Sequence, residues 1–122
     1  MNVTITKLKE EKENQLNFVK NLNEKLNENK KLKLLLNYAL DENLSFIHKN
    51  KNEIIKVDTN NNEMIISYSN INIISKELFI LHIANNELSK TKDELFIDFD
   101  YIDPNCNYKN EDIIAILERI SY

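Results

Sequence analysis

The chain has no glycine anywhere in its 122 residues. Every site that needs the backbone to approach a phosphate closely, or to take a positive φ without a side-chain penalty, must be built some other way. That removes the glycine-rich phosphate loop, the dinucleotide fingerprint and the Gly-x-Ser-x-Gly nucleophile elbow in their usual forms. Left-handed turn positions fall instead to Asn and Asp, which tolerate that region best after glycine. The chain carries 21 asparagines, and Asn60-Asn61-Asn62 and Asn85-Asn86 are the clearest turn candidates.

Hydrophobic patterning places the elements. Leu8, Val19, Leu22 and Leu26 fall on one stripe at the helical period, flanked by Leu16 and Phe18. The stripe lapses at Asn27-Glu28-Asn29-Lys30-Lys31 and resumes with Leu32, Leu35, Leu36 and Ala39. This predicts two helices, near 6–28 and 31–42, with one long bent helix as the alternative because no Gly or Pro intervenes. Beyond Asn43, short runs rich in β-branched and aromatic residues lie between Asn-rich breaks: 44–48, 53–58, 63–69 and 94–101. They read as strands, with a hairpin turn at Asp58–Asn62. Residues 76–88 fit either a doubly buried strand or a helix capped by Ser75, and strand is the preferred reading. After Pro104, Asn110 is placed as the N-cap of a last helix with Ile113, Ile116, Leu117 and Ile120 on its apolar stripe and Arg119 in its last turn. Helices, then four to five strands, then a helix give an α+β class with a mostly antiparallel sheet, in one domain spanning 1–122.

Charge is unevenly spread. Residues 1–40 hold eight lysines and five glutamates, whereas residues 93–122 hold eight carboxylates against Lys109 and Arg119. Alternation along 96–101 sends Ile97, Phe99 and Tyr101 to one side of a strand and Asp98 and Asp100 to the other. An acidic docking surface for a basic protein target is therefore expected in the last third. Asp98, Asp100, Asp103, Glu111 and Asp112 would carry its electrostatics, and Tyr101 and Tyr108 its packing. The competing reading is a solvated face that keeps the sheet from edge pairing.

Catalytic and metal equipment is sparse. Asp98, Asp100 and Asp103 lack a fitting cation loop, so no metal and no cofactor are expected. His48 and His82 are the only histidines; a metal-independent nuclease would need them to meet. One arginine and a net charge of −4 weigh against direct nucleic-acid binding. The lone Cys106 rules out an internal disulfide framework, and no apolar run reaches transmembrane length, so a cytoplasmic protein without membrane contact is expected. In size, acidity and lack of catalytic groups the chain resembles toxin-immunity proteins and phage anti-defence inhibitors such as anti-CRISPR proteins. The resemblance implies a stoichiometric protein-binding inhibitor rather than an enzyme. A secretion-chaperone-like or structural interaction module, usually dimeric, is the alternative.

Overall fold

The computed structural model describes residues 2–72, 74–85, 94–99, 102 and 108–121. Two helices, α1 (Asn2–Glu28) and α2 (Lys30–Asp41), lead into five strands: β1 (Phe46–Asn50), β2 (Glu53–Asn60), β3 (Glu63–Asn70), β4 (Ile74–Asn85) and β5 (Leu95–Ile97). Helix α3 (Asn110–Glu118) and a 3-10 turn, Arg119–Ser121, follow. The strands form one antiparallel meander in sequence order, β1-β2-β3-β4-β5. The α+β class and the antiparallel sheet agree with the sequence pattern.

The break between α1 and α2 needs neither glycine nor proline. Asn29 takes an extended conformation (φ −89°, ψ 90°) and its side-chain oxygen accepts from the Leu32 N–H at 3.1 Å, so one residue ends the first helix and caps the second. Its amide nitrogen also donates to Glu118 Oε1 at 2.6 Å, which ties the joint to α3.

The helices cover one face of the sheet. Ile55, Val57, Met64, Ile66, Tyr68, Phe79, Leu81, Ile83, Leu95 and Ile97 alternate along the strands, and all are essentially inaccessible. They form one cluster with Val19, Leu22 and Leu26 of α1, Leu32, Leu36, Ala39 and Leu40 of α2, and Ile113, Ile114, Ile116 and Leu117 of α3. Burying each large aliphatic side chain contributes about 1.5–3 kcal/mol, so this single cluster supplies the main drive to fold. The apolar stripe of α1 is buried only in its C-terminal half. Residues 6–14 are exposed all round, and Leu8, on the expected stripe, is 61 % exposed.

Asparagine does part of the work that glycine does elsewhere. Four residues have positive φ: Asn43 (55°), Lys51 (27°), Asn61 (49°) and Asn62 (66°). Asn61 and Asn62 are the two central residues of the β2–β3 turn, where a two-residue hairpin with both φ positive matches the twist of its strands. Asn85 ends β4, and Asn86 lies outside the described residues.

The preferred strand reading of 76–88 agrees with the structure over its described part, whereas the last strand and the start of the last helix differ from the pattern-based expectation. Residues 76–85 are strand, since β4 runs twelve residues with Phe79, Leu81 and Ile83 directed into the core. The last strand is shorter than 94–101. After Ile97 one more sheet bond forms, from Asp98 N to His82 O at 2.9 Å, and Phe99 then packs half-buried on the core in a turn closed by Ile102 N to Phe99 O. The N-cap of α3 is Lys109, not Asn110. Its φ and ψ are extended, no side chain caps the helix, and Asn110 is already helical.

Candidate functional site

The face of the sheet turned away from the helices presents an ordered grid that follows from the register. One row across the strands reads Lys49, Ile54, Ser69; the next reads Ile47, Lys56, Ser67, Ile80. The third reads Asp58, Ile65, His82, Asp98, and the fourth Asn60, Glu63, Ala84, Phe96. Among the described residues no helix covers this face. Ile47 (55 %), Ile65 (38 %) and Phe96 (46 %) are exposed on it. They stand on β1, β3 and β5, each set among polar neighbours.

Charge divides the grid. Lys49 and Lys56 stand toward the β1–β2 turn, and Asp58, Glu63 and Asp98 toward the opposite end, around Ile65 and Phe96. Lys56 reaches Asp58 at 3.6 Å, with both side chains more than half exposed, an arrangement worth little in water. At the acidic end His82 is the exception to a wet face, at 6 % exposure. Its Nε2 lies 3.6 Å from Glu63 Oε2 and its Nδ1 3.6 Å from Asp98 Oδ2, so the ring stands between two carboxylates.

The residues singled out from sequence are distributed over both layers. Asp98 is on the open face. Glu111 and Asp112 are exposed in the first turn of α3, on the helical layer, and Glu111 Oε1 is held by Lys25 Nζ at 3.0 Å. That bond to the lysine holds the Glu111 carboxyl below its ordinary value of 4.5. Tyr108 is half-buried, with its ring edge-on to Tyr68 (5.7 Å) and Phe79 (5.4 Å). Asp100, Tyr101, Asp103 and Cys106 lie outside the described residues. The two histidines are not brought together. His48 shares the helix-facing side of β1 with Phe46, opposite Ile55, whereas His82 is on the open face of β4. Among the described residues no three His, Cys, Asp or Glu side chains are grouped to hold a metal ion.

Asp58, Glu63, Ile65 and Phe96 are members of this face that charge counting along the chain passed over. Their signal was present: each alternates with a buried strand residue in a run already assigned as strand.

Two further polar constellations lie on the helical layer. Tyr68 Oη donates to Glu53 Oε1 at 3.0 Å and receives a bond from Asn70 Nδ2 at 3.3 Å, and Arg119 binds the same Glu53 oxygen. Burial is the main force pushing the Tyr68 phenol above its ordinary value of 10.0, and the bond to Glu53 is the main force raising the Arg119 guanidinium. This network pins the end of α3 to β2. An open groove of about 680 Å³ also runs between α1, α2 and α3, lined by Lys25, Glu28, Asn29, Lys30, Glu111, Ile114 and Glu118. Both charge signs alternate along it, and Glu111 and Glu118 are already engaged by Lys25 and Asn29.

No protein-family model, no curated protein and no solved structure matches the chain. Among the described residues no helix is long and apolar enough to cross a membrane.

Proposed function

We propose that this chain is a stoichiometric protein-binding inhibitor, of the general kind of toxin-immunity and anti-defence proteins, that covers a basic surface of a protein target with the open face of its sheet. The observation that carries the reading is the acidic end of that face, where Asp58, Glu63 and Asp98 surround the exposed Ile65 and Phe96. Carboxylates around an apolar centre steer a basic partner in and give it something to bury on arrival. Asp98 is the member shared with the acidic C-terminal third. Glu111 lies in the first turn of α3, on the helical layer and not on this face.

Affinity capture tests the reading with four baits: the wild type, Glu63→Lys, Asp98→Lys and Glu111→Lys. A target retained by the wild type and by Glu111→Lys, and lost with the other two at moderate salt, supports it. A target retained by all four, or no stable target at all, rules it out.

A second reading, a self-associating module of the secretion-chaperone kind, draws on the first half of α1, where Leu8 and Leu16 are exposed among the described residues. Light scattering separates the two: a dimer broken by Leu8→Glu supports the module, and a monomer at high concentration removes it.

A further inference from the structure

A five-stranded meander has two edges, and this one treats them differently. The β5 edge is closed by α1. Asn27 Nδ2 donates to Leu95 O at 2.9 Å while its Oδ1 accepts from Leu95 N at 3.0 Å. Asn23 does the same for Ile97, at 3.3 and 2.5 Å. The spacing explains the fit: four helical residues rise ~6 Å, close to the ~6.6 Å between alternate strand residues. Two primary amides thus stand in for a sixth strand.

Among the described residues the β1 edge has no such cover: only β2 pairs with it, and both Ile47 and the preceding Leu44 are exposed. An open row of backbone donors and acceptors is a template for one more strand. The side chains on it state the chemistry of that strand. Ile47 and Lys49 project on the open face, two residues apart, and Lys51 follows in the turn. Among the described residues no carboxylate lies within ion-pair distance of Lys49 or Lys51. In a chain of net charge −4, this edge is locally cationic.

We propose that β1 is a strand-addition site for an extended acidic segment of a partner protein, with an apolar side chain beside Ile47 and a carboxylate two residues away beside Lys49. Backbone bonds supply the affinity, and the Ile47–Lys49 pair supplies the selection of sequence. This site is separate from the acidic end of the open face, and neither depends on the other.

Fluorescence anisotropy tests it with three labelled decapeptides: repeats of Val-Thr-Glu-Thr, repeats of Val-Thr-Lys-Thr, and the glutamate peptide N-methylated at alternate amides, so that valine and the charged residue stand two apart on one face. The expected result is saturable binding of the first alone, weakened about tenfold by Lys49→Glu and weakened by added salt. Equal binding of the lysine peptide, or of the N-methylated peptide, overturns the proposal, as does no binding at millimolar peptide. Light scattering closes the remaining routes. A wild-type dimer abolished by Ile47→Pro makes a second copy the occupant and overturns it. So does a Lys49→Ala variant that self-associates while the wild type binds no peptide, since Lys49 is then only an edge guard.

Discussion

Replacing Asn27 by Ala removes the amide that satisfies both backbone groups of Leu95, and Asn23→Ala does the same at Ile97. Leu95 and Ile97 are buried beneath α1, so water replaces the lost partners poorly. Two net hydrogen bonds at about 1 kcal/mol each, with a further desolvation cost where water stays out, give a loss of roughly 2–3 kcal/mol per substitution. Alanine returns about 0.5 kcal/mol through its better helix propensity. Each single variant is therefore expected to lose about 1.5–2.5 kcal/mol, and the double variant about 3–5, within the uncertainty of coupling between neighbours. Urea unfolding followed by circular dichroism measures this directly, with an unchanged slope showing that the midpoint shift is a stability change. Asn27→Asp sharpens the test. It keeps the acceptor for Leu95 N but faces the Leu95 carbonyl with a carboxylate, so its deficit should shrink in acid as the side chain regains a proton to donate. If both alanine variants stay within about 0.5 kcal/mol of wild type, the edge is not held by these amides and the argument from their geometry fails.

Other consequences are more local. Lys51 sits at φ 27° with a full side chain, so Lys51→Gly should raise stability by about 0.5–1 kcal/mol in the same urea assay. Arg119→Ala leaves the Glu53 carboxylate and Tyr68 hydroxyl without their cation and should cost about 1–2 kcal/mol, which thermal unfolding would show. The Tyr68 phenol is raised in the fold, so its share of stability is complete below pH 10 and is lost as pH rises through the higher folded value; absorbance at alkaline pH should show one tyrosine ionising after the ordinary range. Glu111 is lowered, so its contribution is present above pH 4.5 and lost as pH falls through the folded value; in a carboxyl NMR titration Lys25→Ala should return it toward 4.5.

Local periodicity carried most of the architecture. The Leu32, Leu36, Ala39 set marked α2 and the alternation in β2 and β3 marked the central hairpin, because each element buries one face against the same core. Where the chain's own signals competed, tertiary packing decided. Residues 96–101 alternate like a strand, yet β5 ends at Ile97 and Phe99 packs half-buried on the core beyond it. Asn110 has the better capping side chain, yet α3 starts one residue earlier. Asn23 and Asn27 are polar residues of α1 among others such as Lys20 and Glu24. Their role depends on backbone groups 74 and 68 residues away, which no local pattern encodes. Alternation marked the outward residues of the candidate face, but not their convergence: β2, β3 and the end of β5 bring Asp58 and Glu63 beside Asp98, whereas Glu111 and Asp112, also in the acidic last third, fall on the other layer.

The most direct measurement is an amide and methyl NMR map of the isotope-labelled protein titrated with its captured target. The largest shifts and the new protection should fall on Asp58, Glu63, Ile65, His82, Phe96 and Asp98, with the outer surface of α2 and α3 unchanged. Shifts confined to the helical layer around Lys25, Glu111 and Asp112 would contradict the proposed binding face.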